Sequence, residues 1–173
     1  MRSALNQTDN FLDRSFLKES GIDVVRRLTG GRALLHDNEI TYSCICPAKI
    51  LKHGENVVKS YIEISQVLID KFKLLGIDLD FGGNKPVNTK FDYCMLISTG
   101  ADLCYQGKKL IGSAQCRKHG YILQHGSILY DYDKNLLEKI FHEQVDTSSI
   151  TSIKEINPDI TKKDIIDLFS NCL

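Results

Sequence analysis

The chain has 173 residues, 42% of them hydrophobic and 25% charged, with 22 Lys plus Arg against 22 Asp plus Glu. That length suffices for one domain with its own core, and the even balance excludes a global field that would attract nucleic acid or an anionic membrane. No run approaches the roughly 18 apolar residues of a membrane span, and the first residues lack the apolar stretch of a signal peptide, so a cytoplasmic protein is expected.

In chain order, Thr8 or Asp9 caps a short helix through Glu19, which Gly21 ends. A strand is expected from Ile22 to Arg27, a turn at Thr29-Gly30-Gly31, and two further strands at Arg32–Leu35 and Ile40–Cys46, the last stopped by Pro47. From Asn56 to Leu75 the apolar positions Val58, Tyr61, Ile62, Leu68, Ile69, Phe72 and Leu75 follow helical spacing up to Gly76. Ile77–Phe81 reads as a strand, and the Gly-, Pro- and Asn-rich stretch at 82–90 as a mobile loop. Short β-type runs follow at Tyr93–Ile97, Ala101–Tyr105, Lys109–Arg117 and Tyr121–Tyr130, separated by turn signals at Ser98-Thr99-Gly100, Gln106-Gly107 and Lys118-His119-Gly120. Helices at Asp133–Phe141 and Thr161–Phe169 close the chain. A meander with flanking helices predicts an α+β fold with a mostly antiparallel sheet.

Six cysteines, at 44, 46, 94, 104, 116 and 172, include no CxxC pair and no histidine at zinc spacing, so neither a disulfide framework nor a metal site is signalled. Cys44 and Cys46 alternate in a strand and read as small core residues. Two places carry more chemistry. Around Gly30 and Gly31 the backbone can approach a ligand closely, and Arg26, Arg27 and Arg32 offer cationic forks for an anion such as phosphate. The same residues equally describe a tight hairpin with solvated arginines, and His36 alone reads as a structural histidine. Cys94 lies at the exit of the loop, which suggests access. A thiol that acts as a nucleophile needs a nearby cation or base, and Lys109 across the meander is a candidate, though by itself it reads sooner as a surface strand lysine.

VVRRLTGGRALLHDNEITYS at 24–43, followed by GKKLIGSAQCRKHGYILQHGSILYD at 107–131, resembles the lipoate-protein ligase A/B and octanoyltransferase family, whose catalytic fold is related to that of biotin protein ligases. The helix at 56–76 and the SITSIKEI segment at 149–156 also fall where that family has elements. The resemblance implies that Arg26, Arg27, Gly30, Gly31, Arg32, His36, Gly112, Ser113 and His125 line a pocket for an octanoyl or lipoyl chain, and that Lys109 contacts the acyl carbonyl. Cys94 looks like the thiol position of the LipM-type octanoyltransferases, which use a cysteine and no ATP.

The implied activity is transfer of octanoyl from acyl carrier protein to a lysine of a lipoyl domain, such as glycine cleavage H protein or a 2-oxoacid dehydrogenase E2. No cofactor is implied. Two related alternatives are a lipoyl amidotransferase and an ATP-dependent lipoate ligase, which alone would need ATP and Mg. The family usually has a further N-terminal strand and helix, so residues 1–173 are expected to be a single, shortened catalytic domain. A different alternative is a non-catalytic remnant or one part of a split enzyme.

Overall fold

Two tight hairpins organise the sheet. In the computed structural model, which describes residues 12–83, 94–96, 102–141 and 144–170, β3 (Leu103–Tyr105) turns into β4 (Lys108–Lys118) through Gln106-Gly107, and β4 turns into β5 (Tyr121–Leu129) through His119-Gly120. Both residues of each turn have positive φ, 49° and 77° in the first, 52° and 77° in the second. That is the backbone of a type I′ turn, whose twist matches the flanking strands. Outside this meander, β1 (Glu39–Pro47) pairs along β5 and β2 (Asp80–Phe81) along β3, giving a five-stranded antiparallel sheet in the order β1-β5-β4-β3-β2.

Register sorts the side chains. Tyr42, Gly126 and Ser113 lie abreast, as do Cys44, Gln124 and Gln115, so these residues share one sheet face. That face is covered by α2 (Val57–Lys73), which buries Ser60, Tyr61, Ile64, Ser65, Leu68 and Phe72. Asn56 caps α2 by accepting from the Lys59 N–H at 2.9 Å, and Gly76, at φ 72°, lets the chain leave it. The buried amide of Gln124 donates to Ser65 Oγ at 3.1 Å, a hydrogen bond between the sheet and the helix that covers it. Around the sheet stand α1 (Arg14–Glu19), α3 (Lys134–Phe141), α4 (Ile153–Ile156) and α5 (Lys162–Ser170). Among the described residues, no helix is long and apolar enough to cross a membrane.

One irregularity matters for the site. Leu103 pairs with Ile111 while the next residue, Cys104, pairs with Lys109, so β4 carries one extra residue there. Neighbours on β3 point to opposite faces, hence Lys109 and Ile111, although two apart, also point oppositely. The bulge therefore turns Lys109 to the face that Gly112 occupies, away from Ile111 and Ser113.

Sequence and structure part at several segments. Ile22–Arg27 and Arg32–Leu35 are not strands: among the described residues the first joins no strand, with Val25 84% exposed, and of the second Ala33 alone makes a β-bridge. The first helix begins at Arg14 and is capped by Asp13, whose carboxylate accepts from the Phe16 N–H at 2.9 Å; Thr8 and Asp9 lie outside the described residues. Cys94–Leu96 is a single 3₁₀ turn within the expected Tyr93–Ile97 strand, and only Asp80 and Phe81 of Ile77–Phe81 join the sheet. The loop expected at 82–90 falls, from residue 84 on, outside the described residues, as does the turn at Ser98-Thr99-Gly100.

Candidate active site

The loop between α1 and β1 is clipped by its own side chains. Arg27 Nη2 donates to the Arg32 carbonyl at 3.1 Å, bridging the Gly30-Gly31 turn. Gly31 sits at φ 109°, and a Cβ there would stand 2.5 Å from Arg27 Nη2 and 3.9 Å from Cys94 Sγ. Glycine is what leaves room for the guanidinium, while the thiol stands at ordinary contact distance. Further along, the Ala33 carbonyl accepts from the Cys94 N–H at 2.8 Å, which ties the loop to the 3₁₀ turn bearing the thiol. Buried Thr29 hydrogen bonds through Oγ1 to His125 Nε2 at 2.7 Å, which ties the same loop down onto β5.

Lys109 approaches from the strand side. Its Nζ donates to the Cys94 carbonyl oxygen at 3.1 Å and lies 3.1 Å from Asp102 Oδ2. Lys109 is 2% exposed and Asp102 3%, so this is an ion pair taken out of water. A Cβ on Gly112 would stand 2.9 Å from Met95 Sδ and 3.0 Å from Lys109 Cε, so the absence of a side chain at 112 is what lets both pass.

The two histidines of the site titrate in opposite senses. His36 bonds to Glu39 at 2.7 Å, which raises its pKa above the ordinary value against a smaller effect of burial. For His125, burial comes first and the charges of Arg27 and His36 add to it, so its pKa is lowered. At neutral pH His125 is a neutral ring. Burial likewise pushes the phenols of Tyr42 and Tyr61 up and keeps them uncharged.

A thiol and a buried lysine joined through the Cys94 backbone oxygen, with glycines at 31 and 112 that admit Arg27, Met95 and Lys109, make an arrangement fit for acyl transfer. Residues 5–173 match the pattern of the lipoyl protein ligase A/B catalytic domain. The chain belongs to that family. Its relatives include octanoyltransferase LipM of Geobacillus kaustophilus and of Staphylococcus aureus, 39% and 40% identical over 137 residues, a stretch that takes in 75% of this chain and 49% and 50% of those proteins. The chain thus spans about half the length of the curated relatives it matches. Its fold matches that of a crystallised lipoate-protein ligase A bound with ATP, with a TM-score of 0.72 at 19% identity over 91% of this chain and 60% of that one.

Among the residues singled out from sequence, this member of the lipoyl ligase family brings Cys94, Lys109, Gly31 and Gly112 together, with Arg27 and His125 joined to them through the loop. Gly30 belongs to the same turn, and Arg32 contributes its carbonyl to Arg27. Arg26 is exposed, and His36 stands exposed beside β1. The Ser113 side chain is on the other face, where its Oγ accepts from Tyr42 Oη at 2.7 Å. Asp102, Thr29 and Met95 escaped sequence reasoning. For Asp102 a signal existed: an acid directly preceding the apolar strand Leu103–Tyr105 is unusual enough to ask what neutralises it.

Proposed function

We propose that this chain carries the thioester-forming site of an octanoyltransferase that moves octanoyl from acyl carrier protein to a lipoyl-domain lysine. In the first half, the Cys94 thiolate attacks the octanoyl thioester; the new C–S bond forms as the old one breaks, and the carrier's phosphopantetheine thiol leaves. In the second, the neutral ε-amine of the lipoyl-domain lysine attacks the Cys94 thioester, giving an amide and restoring the thiol. Exchange of thioester for amide runs downhill, so the reading needs no ATP and no metal.

Lys109, an ammonium within 3.1 Å of the Cys94 backbone oxygen, supplies positive charge where the thiolate and the oxyanion develop, and one well-placed donor of this kind contributes ~3 kcal/mol to the transition state. Gly31 and Gly112 let Arg27, Met95 and Lys109 close in around the site. On this reading Arg26, Arg27, Arg32 and His36 would meet the phosphopantetheine phosphate of the carrier. The reading places the reaction where acyl carrier protein is found, in the cytoplasm.

The observation that carries the reading is the contact of Lys109 Nζ with the Cys94 backbone oxygen, beside Gly31 and Gly112, where a side chain would collide with Arg27 or with Met95 and Lys109. Intact-mass measurement after incubation with octanoyl-acyl carrier protein tests it. The expected result is one octanoyl adduct, removed by hydroxylamine and absent from Cys94→Ala; an unmodified chain, or an adduct that survives Cys94→Ala, overturns it. An amidotransferase uses the same thioester with an octanoylated lipoyl domain as donor, so offering both donors and comparing acylation rates separates the two. Lipoate-dependent ATP–pyrophosphate exchange would instead establish the ligase reading.

A further inference from the structure

The sheet has a second face, and part of it is apolar where it meets water. α2 covers the face that holds Tyr42, Cys44 and Gln124. On the opposite face the register sets Pro47, Tyr121 and Lys118 abreast, and next to them Ile45, Leu123 and Cys116. Ile45 is 70% exposed and Tyr121 54%, Lys118 is exposed, and the other three are half-buried. A sheet with one wet face ordinarily turns its apolar residues inward and its polar ones outward, and these two adjoining rows break that alternation. An apolar patch left facing solvent marks a surface made for a protein partner.

The patch runs toward the candidate site. His125, two residues beyond Leu123 on β5, is on the same face, where its bond to Thr29 brings down the loop that carries Gly31. Gly112 is on this face as well, with Sδ of Met95, the residue after Cys94, beside it. From Gly112 to Lys118 the six-residue step along β4 covers ~20 Å at the rise of an extended strand. Cations border the patch. Lys118 belongs to it, and exposed Lys49 sits in the 3₁₀ turn Ala48–Ile50, which the Ala48 N–H ties to the hairpin by donating to the Gly120 carbonyl at 2.8 Å. Glu55, the acidic residue of the hollow at the hairpin, is outnumbered there by Arg117 and Lys118.

We propose that this face docks the acidic carrier protein that brings the acyl thioester, whose phosphopantetheine arm then spans the distance to Cys94. The proposal rests on the thioester reading above. Distance decides between the two protein substrates. A lipoyl domain offers its lysine on a single side chain and has to dock against the thiol itself, whereas a carrier holds its thioester at the end of a long arm and docks at arm's length. Ile45 and Tyr121 supply apolar contact, and Lys49 and Lys118 steer the acidic partner in.

Two donors separate docking from chemistry: octanoyl-acyl carrier protein, and octanoyl-pantetheine, which has the thioester and no protein. Ile45→Glu replaces an exposed apolar contact with a charge that repels an acidic partner. Acylation of this variant by octanoyl-acyl carrier protein, followed by mass at limiting donor, should slow at least ~10-fold, while acylation by octanoyl-pantetheine stays within ~2-fold of wild type. Lys118→Glu should act in the same direction and flatten the decline of the carrier rate with added salt; being on an exposed side chain, it serves if Ile45→Glu does not fold. Carrier rates equal to wild type, or equal slowing with both donors, overturn the proposal. So does a loss confined to transfer from Cys94 to a lipoyl domain, which would give this face to the acceptor. A wild-type dimer in sedimentation that Ile45→Glu breaks while the carrier rate is kept would give it to a second copy, and overturns the proposal too. Octanoyl-pantetheine acylating Cys94 upholds the thioester reading whatever the variants do; if neither donor acylates the wild-type chain, that reading falls and the proposal with it.

Discussion

Gly31 shows how one missing side chain admits a neighbouring guanidinium. Its φ of 109° is strained for any residue with a Cβ, and that Cβ would fall 2.5 Å from Arg27 Nη2. The obstacle is the far end of a flexible side chain, so Arg27 can swing away, at the cost of its bond to the Arg32 carbonyl. Gly31→Ala is therefore expected to lose about 1–3 kcal/mol of stability from backbone strain, together with a larger fractional loss in the rate of Cys94 acylation. Urea unfolding and the mass-shift time course measure the two separately. Thr29 acts on a partner. Thr29→Val removes the hydroxyl that meets His125 Nε2, at a cost of roughly 1 kcal/mol, and frees the loop that carries Arg27.

Two glycines on neighbouring strands meet different obstacles. Gly126 of β5 has the Gly112 carbonyl 2.5 Å, the Tyr42 ring 2.6 Å and Ser113 Oγ 2.8 Å from where its Cβ would stand. Backbone and a packed ring cannot retreat, so Gly126→Ala should cost ~3 kcal/mol and lower Tm by roughly 6–12 °C. Gly112→Ala meets side chains instead, Met95 Sδ and Lys109, and because both are buried and moving the lysine strains its pair with Asp102, calorimetry should show about 1–3 kcal/mol of loss while acylation slows. The strands bearing these glycines were legible from alternation and their two-residue turns, and α2, α3 and α5 from helical spacing. Ile22–Arg27 was not. Its apolar run has strand composition, but composition says nothing about whether a partner edge is in reach. The β4 bulge was equally hidden: strict alternation puts Lys109 beside Ile111, and only the pairing of both Leu103 and Cys104 across it shows otherwise.

At the scale of the whole molecule, the candidate site draws on the loop before β1, the 3₁₀ turn at Cys94–Leu96, and strands β4 and β5, segments separated by up to 96 residues in the Thr29–His125 bond. Resemblance named most of the contributors, since each sits in a recognisable stretch. It did not name Asp102 or Thr29, whose roles exist only once the segments meet. The meeting also sets how stability depends on pH. His36 has a raised pKa, so its bond to Glu39 adds stability that is fully present below the unfolded value of 6.5 and is lost as pH rises through the folded one. His125 has a lowered pKa, so between its folded value and 6.5 the unfolded chain binds more protons, and stability falls as pH drops through that window. Together they place a maximum near pH 6.5, with His36 the weaker of the two because its side chain is 49% exposed and its ion pair is screened. Urea midpoints measured across this range should show both slopes in the wild-type chain. His125→Gln should flatten the acid side alone and His36→Gln the alkaline side alone. An acid slope that survives His125→Gln would mean that the ring is not held neutral by burial and its cationic neighbours.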